Sequence, residues 1–256
     1  MKLLDLTLPT PAQNLACDEA LLNLCEEAGL EVLRFWESRE SFVVLGYGNH
    51  FATEVNVAEC ERRKVPILRR CSGGGTVLQG PGCLNYNLTL RIDEHGPVGS
   101  VTEANRYVME RNRAAMEKLL GLPVSIEGCT DMVFAGERTG LRPAGHESAT
   151  PKTWFKFSGN AQRRRRDALV FHGTILYQFD LKQIGDLLRF PSAQPDYRDS
   201  RSHLDFVRNI PSDGASIRRA LSEAWNAVEP APAPSDETIS RLVTDQYGNE
   251  AWNLRV

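Results

Sequence analysis

The sequence lacks the patterns that mark several common classes of protein. Its six cysteines, at positions 17, 25, 60, 71, 83 and 129, form no Cys-x-x-Cys pair and have no histidine at metal-ligand spacing, which argues against zinc. No signal peptide or membrane-spanning apolar run is visible, so we expect a cytoplasmic protein without a membrane partner. A net charge of −3 gives no global attraction to nucleic acid, and none is expected as a partner.

What is present is ordinary for a globular protein of this size. The chain has 256 residues, of which 41% are apolar and 25% are charged. A chain of this length can bury a substantial core. We therefore expect one domain over residues 1–256, with no internal repeats.

The most informative stretch is a pair of arginines that runs into three consecutive glycines. It reads Leu68-Arg69-Arg70-Cys71-Ser72-Gly73-Gly74-Gly75-Thr76-Val77. The residues before it have strand character, and glycines at a strand exit let backbone amides approach a ligand. Adjacent strand residues point to opposite faces, so at least one guanidinium is expected to be free to meet a carboxylate or a phosphate. A surface turn with solvated arginines is the alternative.

Two further stretches follow in order. The glycine spacing matches neither a Walker A loop nor a dinucleotide fingerprint. A second stretch reads Lys156-Phe157-Ser158-Gly159-Asn160-Ala161-Gln162, and a third reads Phe171-His172-Gly173-Thr174-Ile175-Leu176. Together with the arginine-glycine loop, these motifs and their order resemble the lipoate-protein ligase A family over nearly the whole chain.

The resemblance implies a fold and an activity. The fold is α+β, with mixed β-sheets and flanking helices, as in the catalytic domain of biotin and lipoate protein ligases. The implied enzyme activates lipoate with ATP and Mg²⁺ to lipoyl-AMP, then transfers the lipoyl group to a lysine of a lipoyl carrier domain. The chain resembles a short form without the C-terminal accessory domain, and some short relatives need a separate accessory polypeptide.

The resemblance also suggests site residues. Lys156 is expected to be catalytic, because its ammonium group can stabilise charge on carbonyl and phosphate oxygens. Residues expected to bind the lipoyl group or its adenylate are Arg69, Arg70, Ser72, Gly73, Gly74, Gly75, Thr76, Asn85, Ser158, Gly159, Asn160, His172, Gly173 and Thr174. For Asn85 and His172, a structural hydrogen-bonding role is the alternative.

Two other functions stay open. The first is an acyltransferase that takes octanoyl or lipoyl from a carrier thioester without ATP, with Cys129 as its nucleophile. A reactive thiolate needs nearby positive charge, which Lys156 would supply. Cys71 and Cys83 also flank the glycines. The second is a non-catalytic relative that only binds a lipoyl domain or a nucleotide.

Local patterns predict the secondary structure. Residues 11–28 form a helix, capped by Thr10 and stopped by Gly29. Residues 31–37 and 41–46 form a hairpin, 83–90 a half-buried alternating strand, and 168–179 a strand broken at His172-Gly173. Further helices are predicted at 55–64, from 102 to about 120, after Asp180, at 212–228 and at 236–246, and strands at 124–127 and 131–135. Residues 136–153 are expected to form a polar insertion. Arg163–Arg166 are expected to be either a solvated run or a site for a phosphate or an acidic partner.

Overall fold

The computed structural model describes residues 1–136, 153–191 and 194–255. The predicted insertion at 136–153 lies outside these residues apart from its two ends. The strands are β1 Lys2–Asp5, β2 Val32–Trp36, β3 Phe42–Leu45, β4 Ile67–Arg69, β5 Val77–Gln79, β6 Cys83–Arg91, β7 Val124–Glu127, β8 Asp131–Gly136, β9 Thr153–Arg164, β10 Ala168–Leu176 and β11 Glu229–Pro230.

The helices lie between and after these strands. They are α1 Pro11–Ala28, α2 Phe51–Glu54, α3 Val57–Arg63, α4 Val101–Leu120, α5 Lys182–Leu187, α6 His203–Phe206, α7 Gly214–Ala224, α8 Asp236–Leu242 and α9 Glu250–Asn253. A π-helical turn, Val243–Tyr247, follows α8. None of the helices in the described part of the chain is long and apolar enough to cross a membrane.

The strands form two sheets. The larger has eight strands in the order β11-β1-β2-β6-β10-β9-β8-β7, and the smaller has the order β4-β3-β5. Parallel pairs, such as β1 with β2 and β3 with β4, occur beside antiparallel ones. The predicted mixed sheets with flanking helices are therefore confirmed.

The predicted hairpin at residues 31–37 and 41–46 is wrong. Both segments are strands, but β2 pairs with β1 and β6, whereas β3 pairs with β4 and β5 in the other sheet. The chain thus crosses between sheets at residues 37–41. Short apolar strands do not encode their partners locally, because pairing depends on which distant strand completes each core.

The centre of the large sheet is more regular and more buried than predicted. Strand β10 pairs with β6 continuously from Ala168 to Leu176, so His172-Gly173 does not break it. On β6, Leu84 and Leu88 face the core as predicted, but Asn85 and Asn87 on the opposite face are buried too. That face is covered by α1, which contacts both β6 and β10.

The helices divide the interior into two main regions. Helices α4 and α7 share a core with β2, β6, β8, β9 and β10 on one face of the large sheet. Helix α1 packs between the other face and the small sheet, where Leu21 meets Trp36 and Val44. Its ends are the predicted ones: Thr10 caps it through Gln13, and Gly29 adopts φ +67° at its C-terminus.

Candidate active site

A cavity of about 360 Å³ opens between the two sheets, where α1, β9 and β10 meet the glycine loop, residues 71–76. Its wall includes apolar side chains such as Leu15, Val44 and Leu176. Among the predicted site residues, those that line it are Arg70, Gly74, Gly75, Thr76, Asn85, Cys129, Lys156, Ser158, Gly159, Asn160, His172, Gly173 and Thr174. Arg69 and Ser72 are buried and do not line the cavity, and neither does the exposed Gly73.

Lys156 extends from β9 into the cavity. Its Nζ lies 2.7 Å from Asp131 Oδ1, and both side chains are partly exposed. The second carboxylate oxygen of Asp131 accepts a hydrogen bond of 2.7 Å from the Tyr197 hydroxyl, and the pKa of that tyrosine is raised by burial and by Asp131. Gly159 leaves space for the lysine, since a Cβ there would lie 3.1 Å from Lys156 Nζ. The ammonium is therefore held at the cavity surface by a carboxylate.

Cys129 lies in the turn between β7 and β8, two residues before Asp131. It is exposed at the cavity, whereas the other five cysteines are buried. Burial raises the pKa of the Cys71 and Cys83 thiols to about 12, so neither is a thiolate at neutral pH. Of the three cysteines considered in the sequence, only Cys129 combines access to the cavity with proximity to the Asp131–Lys156 pair.

Asn160 holds the turn that carries Cys129. Its Nδ2 donates to the Thr130 carbonyl at 2.6 Å, and its own carbonyl accepts from Thr130 Oγ1 at 2.9 Å. Asn160 Oδ1 accepts from the Tyr86 hydroxyl. A Cβ on Gly173 would lie 1.7 Å from this oxygen. Because Gly173 has no side chain, Asn160 can occupy this position. The hydrogen bonds of Asn160 then attach the turn to β9.

The two adjacent arginines point in opposite directions, as strand alternation predicted. Arg70 lines the cavity, and its Nη2 donates to the Gly73 and Gly75 carbonyls at 2.6 and 2.8 Å. Desolvation lowers the pKa of Arg70 to about 10, which leaves it protonated at neutral pH. Gly74 has φ +86°, and a Cβ there would lie 2.9 Å from Arg70 Nη2. Arg70 therefore shapes the glycine loop while contributing charge to the cavity.

Arg69 is fully buried and donates to main-chain carbonyls on the far side of β4, including those of Gly46, Trp252 and Arg255. The expectation that it holds a substrate carboxylate does not fit this position, because its donors are directed away from the cavity. We therefore leave Arg69 out of the proposed binding site.

His172 lies at one end of a hydrogen-bond chain. Arg70 Nε donates to Ser72 Oγ at 3.0 Å, and Ser72 Oγ lies 2.5 Å from His172 Nε2. The Ser72 hydroxyl can donate to this nitrogen or accept from it, according to the tautomer of His172. On the other side of the ring, Nδ1 lies 3.7 Å from Asp18 Oδ2. His172 is thus held in the cavity wall between Ser72 and Asp18.

Asp18 and Asp131 were both missed from the sequence as site residues. Asp18 lines the cavity from α1 and forms a buried ion pair of 2.6 Å with Arg34. It lies in the stretch Asn14-Leu15-Ala16-Cys17-Asp18 of α1. Asp131 is 25 positions before Lys156, and only the β8–β9 pairing brings them together.

The far end of the cavity is formed by the segment after β10. Arg198 and His203 line it, and burial lowers the pKa of both side chains. Arg198 lies over the Phe190 and Phe206 rings, 4.8 Å from each centroid. This part of the cavity thus combines cationic and aromatic groups. Within the three described ranges, no group of three or more His, Cys, Asp or Glu is arranged to hold a metal ion.

The basic run Arg163–Arg166 is mostly used within the protein. Arg163 donates to the Cys71 carbonyl, Arg164 to the Val98 and Gly99 carbonyls, and Arg165 to Glu19 and Glu26. Only Arg166 is largely exposed, at 91% of its side chain. The run is therefore better described as a set of structural anchors than as a phosphate site.

Comparisons with known proteins identify the family. The model of the lipoyl protein ligase A/B catalytic domain matches residues 10–220. An octanoyltransferase LipM from Brevibacillus brevis is 27% identical over 269 aligned positions, which cover 96% of this chain and 95% of the relative.

Solved structures share the fold. A structural study of a bipartite lipoate protein ligase and its E2 lipoyl domain from Thermoplasma acidophilum contains a chain that matches with a TM-score of 0.78 and 24% identity, covering 99% of this chain and 95% of its own. A lipoate-protein ligase A bound with ATP matches with a TM-score of 0.73 and 23% identity, covering 99% and 98%. The chain belongs to the lipoyl protein ligase A/B catalytic-domain family.

Proposed function

We propose that this protein transfers an octanoyl or lipoyl group to a lysine of a lipoyl carrier domain, and that it takes the group from a carrier thioester through Cys129. One observation carries this proposal: the exposed Cys129 thiol and the Lys156 ammonium line the same apolar-walled cavity, and Asp131, two residues after Cys129, pairs with Lys156. The full-length match to an octanoyltransferase supports the same route.

The proposed reaction has two transfers. The Cys129 thiolate attacks the donor carbonyl, a new thioester forms, and the donor thiol leaves with a proton. The amine of the acceptor lysine then attacks this thioester, an amide forms, and the Cys129 thiol is restored. In both steps negative charge develops on the carbonyl oxygen, which Lys156 Nζ is suited to stabilise. The apolar wall with Leu15 and Val44 would take the acyl chain.

ATP-dependent ligation is a second candidate, and a specific observation favours it. The Arg-Arg-x-Ser-Gly-Gly-Gly loop is complete and borders the cavity, and a ligase bound with ATP shares the fold. In this route the acid carboxylate attacks the α-phosphorus of ATP and pyrophosphate leaves. Lys156 and Arg198 would meet the phosphate charge, and Asp131 and Asn85 offer the few oxygens that phosphate-bound Mg²⁺ requires.

The acceptor is expected to be a small lipoyl domain. The Thermoplasma study pairs its ligase with an E2 lipoyl domain. A bipartite ligase shares the fold. The experiment described next, carried out with the purified chain alone, also tests whether a second polypeptide is required.

The test is acylation of a purified lipoyl domain, followed by mass spectrometry, with wild type, Cys129→Ser and Lys156→Ala. The donors are an octanoyl-carrier thioester and, separately, octanoate or lipoate with ATP and Mg²⁺. Transfer from the thioester that is lost in Cys129→Ser is the expected result. Transfer only with ATP, retained in Cys129→Ser, would overturn the thiol route in favour of ligation. Inactivity of the wild type with every donor would overturn both candidates for the chain alone.

A further inference from the structure

The glycine loop is supported from behind by residues 243–255, which lie beyond the region matched by the family model. This 243–255 segment comprises the π-helical turn and α9. It covers β4, which is an edge strand of the small sheet. Asn253 Oδ1 accepts from the Arg69 amide at 2.9 Å, and Trp252 Nε1 donates to the Arg69 carbonyl at 2.9 Å. The exposed edge of a strand is thereby satisfied.

The Arg69 guanidinium joins this segment to a second loop. On one side it donates to the Trp252 and Arg255 carbonyls at 3.2 and 2.6 Å. On the other side it donates to three carbonyls within residues 46–49, at distances of 2.8 to 3.1 Å. A planar guanidinium fixes all these groups at once, and carbonyl dipoles offset the cost of burying its charge.

Residues 46–49 in turn support the glycine loop. The Tyr47 amide donates to the Ser72 carbonyl at 2.8 Å. Gly46 is so close to Gly74 that a Cβ on Gly46 would lie 2.0 Å from the Gly74 carbonyl oxygen. A shift of Arg69 together with residues 46–49 would therefore displace Gly74, which lines the cavity.

An independent contact reaches the loop through Tyr247. This fully buried tyrosine donates to Glu19 Oε2 on α1 and contacts the Cys71 thiol at the start of the loop. Glu19 also accepts from Gln246 Nε2 at 3.0 Å. Two separate attachments, one at Arg69 and one at Cys71, thus bind the 243–255 segment to the N-terminal end of the glycine loop.

We infer that the 243–255 segment is a positioning element of the acyl-donor site, acting through Arg69 and Tyr247 on the glycine loop. This inference rests on the proposed function only for the identity of the ligand at the glycine loop, the acyl donor. Loosening the segment should weaken binding of the acyl donor, because the loop borders the donor cavity.

The test uses two variants: Tyr247→Phe keeps the ring and removes the hydroxyl, and Trp252→Phe keeps an aromatic side chain and removes the Nε1 donor. Asp245→Asn, an exposed change in the same segment, is the matched control. Hydrogen exchange is measured on peptides that cover residues 70–79. We expect exchange about tenfold faster in both variants than in the control, because local opening becomes less costly. Exchange unchanged in both variants would overturn the inference.

Transfer kinetics supply a second readout. The same variants should raise KM for the acyl donor and leave KM for the acceptor domain unchanged, whereas general loss of folded protein would lower kcat alone. An equal rise in both KM values would contradict the inference. The exchange measurement needs no activity, so an inactive wild type would overturn the proposed function and leave the positioning role tested on its own.

Discussion

The two walls of the cavity are built in different ways. The wall that carries Lys156 and His172 consists of β9 and β10, whose backbones pair in continuous antiparallel register. The opposite wall is the glycine loop, which has little regular structure of its own and is held by side chains such as Arg70 and Arg69. Lys156 and His172 thus lie on the strand wall, and the glycine backbone lies on the wall that side chains support.

This difference predicts different sensitivities. On the strand wall, geometry depends on space, because an added atom meets backbone or a packed neighbour. On the loop wall, geometry depends on hydrogen bonds from buried arginines, because few backbone bonds hold the glycines. Substitutions that add volume should therefore affect mainly the strand wall, and substitutions that remove hydrogen-bond donors should affect mainly the loop wall.

The largest effect is expected from Lys156→Ala. Removal of the ammonium that stabilises the carbonyl oxygen should lower the transfer rate by roughly 10²–10³-fold, the usual loss for a preorganised donor. The measurement is single-turnover acylation of the lipoyl domain, with Lys182→Ala, at an exposed lysine of α5, as the control. A loss below about fivefold would contradict the role of Lys156.

Gly173→Ala should test the strand wall through space alone. The added Cβ would fall 1.7 Å from Asn160 Oδ1, so Asn160 and the Cys129 turn must shift. We expect a loss of about 1–3 kcal/mol in the free energy of unfolding, as for overpacking elsewhere. Denaturant unfolding measures this, and Gly185→Ala is the control, because no heavy atom lies within 4 Å of a Cβ at that site. Equal stability of the two variants would refute the packing argument.

Substitutions of the two adjacent arginines should have different effects, one on stability and the other on binding of the acyl donor. Arg69→Lys removes bonds to carbonyls of two segments and should lower the free energy of unfolding by about 1–3 kcal/mol. Arg70→Lys should instead raise KM for the acyl donor, since Arg70 shapes the loop at the cavity. Chemical unfolding and steady-state kinetics on both variants make the comparison. The reverse assignment of effects would contradict the geometry.

The smallest effect is expected from Arg166→Ala. Its side chain is 91% exposed, so the change should alter the unfolding free energy by less than about 0.5 kcal/mol. Arg165→Ala is the matched variant and should cost more, because it removes a partner of the buried Glu19. Thermal unfolding of the two variants measures this difference. Equal stability would contradict the structural role assigned to Arg165.

Local signals predicted much of this molecule. The caps at Thr10 and Gly29 identified α1, and the alternation on β6 identified which residues face the core. The three motifs contain many of the residues that line the cavity. Alternation also predicted that Arg69 and Arg70 diverge, but the side that faces the cavity depends on how β4 packs in the small sheet.

Non-local contacts account for what was missed. The partner of Lys156 is Asp131, and only strand pairing brings that carboxylate to the lysine. The hairpin prediction failed because β2 and β3 find partners in separate sheets. The contacts of the 243–255 segment with Arg69 span more than 180 residues, a separation at which no local pattern carries information.

The most direct test of the proposed thiol route is a search for the acyl-enzyme. Wild type and Cys129→Ser are mixed with an octanoyl-carrier thioester in the absence of acceptor, quenched in acid, and their intact masses measured. We predict one added octanoyl group on the wild type, located on the peptide that contains Cys129, and none on the variant. An unmodified wild type that still acylates the lipoyl domain from the same donor would contradict the account.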